Sequence, residues 1–271
     1  MKRILGFILA SLLLVGCGSN TGTTGGTTAP QEEKVELVVF AAASMTETME
    51  QIKEKYIAEN PNVDIVYTFD SSGTLKTQIE EGADCDIFIS AAQRQMNLLD
   101  LASEANTDKL DFVESDTHIN LLKNRVTLVV KEGNAKEITS FEDLNTDKVE
   151  TIALGNSDVP VGQYSEEILK NMGIWDAIQP KVTFGSNVKE VTTWVSESSV
   201  DTGIIYATDA FSAGLEIVAY PPEGTLANEV VYPVAVLKKT TNKDEAVKFL
   251  NYLQGDTAKE IFESVGFVMA D

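Results

Sequence analysis

The feature that most constrains the fold of this chain is a strand-to-helix corner that recurs four times. In the first example, the apolar residues 37–40 are followed by three alanines and then by Ser44, where a helical pattern begins. A short continuous apolar run is typical of a strand in a parallel sheet that is covered on both faces. From residue 63 onward, strand-like and helix-like segments alternate. This alternation predicts an α/β fold.

The helix after the first corner carries its own start signal. Ser44 and Glu47 have the spacing of a capping box, in which each side chain hydrogen-bonds to the backbone N–H of the other residue. The apolar face of this helix is predicted to consist of Met45, Met49, Ile52 and Tyr56. Free N–H groups and a hydroxyl at a helix N-terminus form a place for an anion. The alternative interpretation is an ordinary corner with a serine cap.

The three later corners, at residues 70–75, 156–164 and 185–190, repeat this composition. Each places small or polar residues at the start of a predicted helix. The candidate caps are Ser71, Ser72 and Asn187, the last with Glu190 three residues later. Lys189 is the only basic residue in the corners. Each corner alone is explained by structure, but their shared composition predicts convergent, mostly neutral, N–H and O–H donors.

The first residues have the pattern of a lipoprotein signal peptide. Lys2 and Arg3 precede an apolar run over residues 4–15, which is too short for a membrane-spanning helix. The run ends in Leu-Val-Gly-Cys17, which resembles the site where bacterial lipoproteins are cleaved before a lipid-carrying cysteine. We therefore expect a signal peptide over residues 1–16, lipidation of Cys17, and a flexible tether over residues 17–33. The alternative is a plain secretory signal with a chance cysteine.

Composition excludes several classes of partner and activity. The chain has 21 basic against 42 acidic residues, a net charge of −21, which argues against nucleic acid or an anionic membrane face as a partner. A small anion remains compatible, because salt screens distant carboxylates from a closed site. His118 is the only histidine, and it is predicted to be a surface or hinge residue. Hydrolase motifs are also absent, so we expect that the protein is not an enzyme. Cys85, between Asp84 and Asp86, is predicted to be buried rather than metal-binding.

Seven stretches together carry a resemblance to a known family. They are residues 40–44 (FAAAS), 69–75 (FDSSGTL), 86–90 (DIFIS), 159–164 (VPVGQY), 203–209 (GIIYATD), 232–236 (YPVAV) and 260–267 (EIFESVGF). In this order they resemble the periplasmic molybdate-binding proteins of ABC transporters, the ModA family. The resemblance covers roughly residues 35–267, and it is specific as a set although no single stretch would settle it.

The resemblance implies a type II solute-binding fold, with two α/β lobes joined by two crossover segments and the ligand in the cleft. One lobe would contain residues 34–122 and 216–271, and the other residues 123–215. The ligand-binding residues that it implies are Ser44 and Ser72 through hydroxyl and backbone donors, Val161 and Val188 through backbone N–H groups, and Tyr206 through its phenolic O–H. Molybdenum would be held only as molybdate, without direct protein–metal ligands, and no cofactor is implied. The protein is expected to be a monomer.

This implied set of donors agrees with the chemistry of the ligand. Molybdate, tungstate and sulfate carry no proton at neutral pH, so all their oxygens accept hydrogen bonds. Hydrogenphosphate keeps a proton that needs an acceptor, and a site made of donors rejects it. The resemblance thus implies a receptor, anchored by lipid outside the cytoplasmic membrane, that delivers molybdate or tungstate to an ABC permease. The alternatives are a receptor for sulfate or another oxyanion, or a sensor or adhesin lipoprotein.

Two departures from the family pattern bear on the implied site. Val161 stands where the family often has alanine, which leaves the backbone N–H available but could crowd the pocket. Asp70 beside the serine pair is less expected, because a carboxylate that faced the ligand would repel a dianion.

Overall fold

Eleven strands form two separate sheets in the part of the chain that the structure, a computed structural model, describes, which is residues 34–270. The predicted signal peptide over residues 1–16, the predicted lipidation site Cys17 and the predicted tether over residues 17–33 lie outside the described residues. No helix within residues 34–270 has the length and apolar composition needed to cross a membrane.

The first lobe is built on a six-stranded mixed sheet of order β11-β4-β10-β3-β1-β2. Its strands are β1 (Val35–Ala42), β2 (Val63–Asp70), β3 (Ile87–Ile89), β4 (Ile119–Asn124), β10 (Val230–Val236) and β11 (Val268–Met269). Its helices are α1 (Thr46–Glu59), α2 (Ser72–Glu80), α3 (Gln93–Leu99), α8 (Lys243–Leu253) and α9 (Asp256–Ser264). Strand β1 runs parallel to β2 and β3, whereas β10 is antiparallel to both β3 and β4. The parallel strands direct the corners before α1 and α2 to the same edge of the sheet.

The second lobe is built on a five-stranded mixed sheet of order β7-β6-β8-β5-β9. Its strands are β5 (Val126–Val130), β6 (Ile152–Gly155), β7 (Val182–Gly185), β8 (Thr202–Tyr206) and β9 (Glu216–Ala219). Its helices are α4 (Pro160–Asn171), α5 (Trp175–Ile178), α6 (Val188–Ser196) and α7 (Ala207–Ala213). Short 3-10 helices lie at Ala43–Met45 and Ser115–Thr117 in the first lobe and at Phe141–Asn145 and Gln179–Lys181 in the second lobe. Strands β6, β7 and β8 are parallel, so the corners before α4, α6 and α7 also share one edge.

The chain crosses between the lobes twice, at Arg125 and over residues 220–229. The sheets place the lobe boundaries after β4 and after β9, a few residues beyond the expected boundaries at 122/123 and 215/216. The reason is strand pairing: residues 123 and 124 still pair with β10, and β9 pairs with β5 of the second lobe. The Arg125 guanidinium lies 4.4 Å from the centroid of the Tyr220 ring, so a cation–π contact joins the two crossings.

Local patterns predicted the buried faces of the helices. The predicted apolar face of α1 is buried, with Met45, Met49, Ile52 and Tyr56 at 2% exposure or less. Of the predicted cap residues, the Ser71 hydroxyl accepts from the Thr74 N–H, and Asn187 Oδ1 accepts from the Glu190 N–H. These contacts confirm the caps of α2 and α6.

The capping box predicted for Ser44 and Glu47 is wrong. A 3-10 turn over Ala43–Met45 precedes α1, which begins only at Thr46 and has no side-chain cap. The two side chains have tertiary partners instead, since the Ser44 hydroxyl hydrogen-bonds to Tyr232 and the Glu47 carboxylate pairs with Lys189. Contacts from distant parts of the chain thus replaced the local ones.

Cys85 and His118 of the first lobe differ in burial and in hydrogen bonding. Cys85 is buried as predicted, and burial raises the pKa of its thiol. His118, predicted as a surface or hinge residue, is partly exposed, and its Nδ1 lies 2.7 Å from Asp100 Oδ2. Asp100 also accepts from the Ser115 hydroxyl and the Ala102 N–H. The carboxylate is at the centre of this cluster, an arrangement that ties the segment before β4 to the end of α3.

Candidate functional site

The beginnings of five helices, α1, α2, α4, α6 and α7, meet at one cavity between the two lobes. It is lined by Ala42, Ala43, Ser44, Asp70, Ser71, Ser72, Ala91, Val159, Pro160, Val188 and Tyr206. The first lobe supplies the residues up to Ala91 and the second lobe supplies the rest. The free volume is ≈ 10 Å³ for the centre of a water-sized molecule, which is about one water position. The cleft is therefore nearly closed around a small polar site.

Backbone N–H groups reach this cavity from helix N-termini. The first N–H groups of a helix have no partner within the helix, and the helix dipole makes that end positive. Ser72 is the first residue of α2 and Val188 is the first residue of α6. In α4 the first residue is Pro160, which has no N–H, so Val161 carries the first available N–H of that helix. The side chain of Val161 is itself buried in the core and does not line the cavity.

Four lining residues carry hydroxyl groups; the Ser71 hydroxyl caps α2, and the other three accompany the backbone donors. The Ser72 hydroxyl oxygen accepts from the Ala91 N–H at 2.9 Å, which leaves the hydroxyl hydrogen available to another acceptor. The Ser44 hydroxyl lies 2.9 Å from the Tyr232 hydroxyl. The Tyr206 hydroxyl donates to the Ala91 carbonyl across the cleft at 3.3 Å. Burial raises the pKa of Tyr206 well above its usual value, so its phenol is protonated at neutral pH and acts as a donor.

Asp70 is the only acidic side chain among the residues that line the cavity. Its Oδ1 accepts from the backbone N–H of Ser71 at 2.7 Å. The residue is half-buried, and this hydrogen bond turns one carboxylate oxygen toward its own chain. The remaining lining residues are uncharged, so the local field in the cavity comes mainly from helix ends, hydroxyls and this one carboxylate.

Direct contacts between the lobes close the cleft beside the cavity. The Gly73 N–H donates to the Asp158 carbonyl at 3.0 Å, and Gln95 Nε2 donates to Gln163 Oε1 at 3.3 Å. The approach at Gly73 is close, since a Cβ placed on this residue would lie 2.3 Å from the Asp158 oxygen. A glycine is therefore required at residue 73 for this degree of closure.

An ion cluster lies at the rim of the cleft. Lys189 at the start of α6 places its Nζ 2.7 Å from Glu47 Oε2 of the first lobe and 3.2 Å from Asp209 Oδ1 of its own lobe. The side chain of Asp209 is 0% exposed. Burial raises the pKa of Asp209 to about 6, although Lys189 opposes this shift. The one basic residue of the four corners is thus engaged by two carboxylates and does not line the cavity.

The family model for bacterial extracellular solute-binding proteins matches residues 37–268. The chain belongs to this family. YvgL of Bacillus subtilis strain 168, provisionally named an ABC transporter substrate-binding lipoprotein, is 34% identical over 261 residues, 96% of this chain and 95% of that protein. The molybdate-binding protein ModA of Haemophilus influenzae is 33% identical over 265 residues, 96% of each chain.

A solved structure extends this likeness to the fold. The substrate-binding domain of a provisionally named molybdenum ABC transporter from Clostridium difficile is 36% identical, with a TM-score of 0.65, covering 88% of this chain and 100% of that chain. This solute-binding protein therefore has the type II fold that the resemblance implied, with two α/β lobes and two crossovers.

Of the five predicted site residues, four line the cavity of this solute-binding protein: Ser44, Ser72, Val188 and Tyr206. Val161 stands next to lining residue Pro160 and offers only its backbone. Sequence reasoning missed Tyr232 and Asn124, which lie behind Ser44, and Asp209, which lies behind Lys189. Tyr232 and Asp209 fall within stretches that carry the family resemblance, but nothing local in the sequence indicates which side chains they contact.

Proposed function

We propose that this solute-binding protein captures molybdate, and also tungstate, outside the cytoplasmic membrane and delivers it to the permease subunits of an ABC transporter. The observation that carries the proposal is the convergence of helix N-termini and three hydroxyls on one cavity that no lysine or arginine lines. Relatives that bear the name molybdate-binding protein support the choice of anion, including one from Escherichia coli at 35% identity over 86% of this chain.

The proposed ligand suits a site of neutral donors. A fully deprotonated tetrahedral dianion presents only acceptors, so each donor finds a partner and no buried ligand proton is left unpaired. Hydrogen bonds to a charged group contribute roughly 1.5–3 kcal/mol each, and four or five of them supply on the order of 8 kcal/mol, which corresponds to micromolar binding. Neutral donors also allow release when the lobes separate.

In this proposal the five predicted residues act together on the oxyanion. Ser44 and Ser72 donate through hydroxyl and backbone groups of the first lobe. Val161 and Val188 donate through backbone N–H groups of the second lobe, and Tyr206 donates through its hydroxyl. A phenol has a single hydrogen, so Tyr206 must leave the Ala91 carbonyl in order to donate to the ligand. Because a tetrahedral oxyanion is larger than water, the lobes must separate to admit it and then close on it.

The location and partners belong to the same proposal. The lipobox-like sequence before Cys17 supports a lipid anchor at the bacterial cell membrane, and the name of the Bacillus relative includes the word lipoprotein. We infer that the protein acts as a monomer and has no catalytic activity. The donor set leaves the substrate chemically unchanged, because the described cavity contains no nucleophile paired with a general base.

The test is calorimetric titration of the purified protein with molybdate, tungstate, sulfate and phosphate at one salt concentration. The proposal requires saturable binding of molybdate and tungstate, weaker binding of sulfate, and no binding of phosphate. Tighter binding of sulfate than of molybdate would change the substrate to the alternative oxyanion. Binding of phosphate would indicate that Asp70 accepts a ligand proton, and failure to bind any of the four would favour a sensor or adhesin lipoprotein.

A further inference from the structure

Behind Ser44 lies a buried chain of hydrogen bonds that leads away from the cavity. The Tyr232 hydroxyl is 2.9 Å from the Ser44 hydroxyl and 3.2 Å from Asn124 Nδ2. Tyr232, on β10, is 0% exposed, and Asn124 ends β4 next to the first crossover. These hydrogen bonds therefore connect the first crossover to one wall of the cavity through two side chains of the first lobe.

The direction of this chain follows from the amide of Asn124. Its Oδ1 accepts from the backbone N–H of Arg125 at 2.8 Å, and a backbone N–H can only donate. The other amide atom must then be nitrogen, which donates to the Tyr232 hydroxyl and to Thr208 Oγ1 at 2.9 Å. The amide orientation is thus determined by its partners rather than chosen freely.

The Tyr232 hydroxyl extends these hydrogen bonds to Ser44. The Tyr232 oxygen already accepts from Asn124, and its hydroxyl hydrogen has Ser44 Oγ as an acceptor within 2.9 Å. Burial raises the pKa of Tyr232 well above its usual value, so this hydrogen is retained at neutral pH. The 2.9 Å contact fits either hydroxyl as the donor. With Tyr232 as the donor, Ser44 Oγ accepts, and the hydrogen of Ser44 is left to donate into the cavity that Ser44 lines.

We propose that Tyr232 and Asn124 are specificity-determining positioning residues, which hold the Ser44 hydroxyl as a donor toward the bound anion and so exclude anions that carry a proton. The proposal rests on the oxyanion-binding function proposed above. Ser72 is held in a comparable way, but its partner is the backbone N–H of Ala91, which no side-chain substitution removes. Ser44 is therefore the serine whose hydroxyl can be reoriented by substitution of the neighbouring side chain.

The first test replaces Tyr232 by phenylalanine and measures the ratio of molybdate to phosphate affinity, with phosphate measured by competition against molybdate so that the wild-type protein gives a lower limit of the ratio. The ring contacts of Tyr232 with Tyr206 and Phe267, at centroid distances of 5.7 and 5.3 Å, do not need the hydroxyl, so the fold should be retained. Without the Tyr232 hydroxyl, Ser44 can rotate and accept a ligand proton. We expect the ratio to fall by about tenfold or more, the value of one good hydrogen bond.

Tyr67→Phe is the matched control for this variant. Tyr67 lies on the same sheet and donates its partly buried hydroxyl to the Met49 carbonyl at 3.1 Å, outside the cavity lining. Its loss should leave the affinity ratio unchanged. An unchanged ratio in Tyr232→Phe, with wild-type protein binding molybdate normally, overturns the proposal. Absence of molybdate binding to the wild-type protein overturns instead the function on which it rests.

Asn124→Asp provides a second and opposite test, which also serves if Tyr232→Phe does not fold. An aspartate offers an acceptor where Asn124 offers a donor, so the Tyr232 hydrogen turns toward residue 124 and Ser44 then donates to Tyr232. We expect molybdate affinity to fall by about tenfold or more, and this loss should shrink when Asn124→Asp is combined with Tyr232→Phe. Additive losses, or wild-type affinity in Asn124→Asp, would contradict an effect that passes through Tyr232.

Discussion

The two lobes contribute to the cavity in different ways. The first lobe offers serine hydroxyls that partners within the same lobe already orient, Tyr232 for Ser44 and the Ala91 N–H for Ser72. The second lobe offers helix starts whose side chains are hydrophobic, and its one hydroxyl, from Tyr206, donates to the first lobe in this conformation. The first half of the site is therefore complete within its lobe, whereas the second half depends on how the lobes meet.

The largest effect is expected at Gly73, where the two lobes come into direct contact when the cleft closes. A Cβ on residue 73 would lie 2.3 Å from the Asp158 carbonyl oxygen of the opposite lobe. Gly73→Ala should therefore hold the lobes apart, and overpacking of about 1–3 kcal/mol in the closed state predicts a loss of molybdate affinity of roughly 5–150-fold. Titration calorimetry measures the loss, and X-ray scattering should show that the liganded variant stays more extended than liganded wild type.

Gly255→Ala is a suitable control for Gly73→Ala. Gly255 is the N-cap of α9 in the first lobe, whereas Gly73 lies in the first turn of α2, and a Cβ on Gly255 would lie 3.3 Å from the Tyr252 carbonyl oxygen of the same lobe. Any change in stability should thus occur without a change in affinity. Wild-type affinity in Gly73→Ala would mean that the lobes do not close along the contact between residues 73 and 158.

The next effect distinguishes the side chains of the first lobe. Ser44→Ala and Ser72→Ala each remove a donor from a buried acceptor, so binding should weaken by roughly 1–3 kcal/mol in each variant. The global fold should persist, since neither hydroxyl caps a helix. Calorimetry with molybdate measures the loss and circular dichroism checks the fold. Unchanged affinity in both single variants would place the site elsewhere.

The second lobe should tolerate a change of side chain that the first does not. Val161→Ala keeps the backbone N–H that is proposed to bind the anion, so affinity should change by less than about threefold, below the value of one hydrogen bond. Removal of two buried methyl groups should nevertheless lower the free energy of unfolding by roughly 2 kcal/mol. Val191→Ala, on α6 and fully buried outside the cavity lining, is the matched control. A large loss of affinity specific to Val161→Ala would show that the side chain itself shapes the pocket.

Local features of the site could be predicted from the sequence, whereas contacts between distant residues could not. The helix starts at Ser72 and Val188 were predictable because caps and apolar periodicity are local signals. The resemblance supplied Tyr206. The contact between Ser44 and Tyr232 joins residues 188 positions apart, and no local pattern encodes such a pair. For the same reason the capping box at Ser44 failed, because distant partners took both of its side chains.

The smallest expected effect concerns pH and contrasts two buried carboxylates, one from each lobe. In the first lobe, burial alone would raise the pKa of Asp100, but hydrogen bonds from Ser115, His118 and the Ala102 N–H outweigh burial and lower it. Its contribution to stability is present above the pKa of the unfolded chain and is lost as pH falls. In the second lobe, burial raises the pKa of Asp209 from 3.8 to about 6 despite Lys189.

The sign for Asp209 is therefore opposite. Between pH 3.8 and about 6 the folded protein holds a proton that the unfolded chain has lost, so its stability declines as pH rises through this window. Asp209→Asn should remove that decline while Lys189 keeps its contact with Glu47. The melting temperature of the variant relative to wild type should consequently be higher at neutral pH than at the acid end of the window, and scanning calorimetry across the window measures it. A difference that does not vary with pH would mean that Lys189 keeps Asp209 ionised throughout, and Asp209 would then contribute no pH dependence of stability in this window.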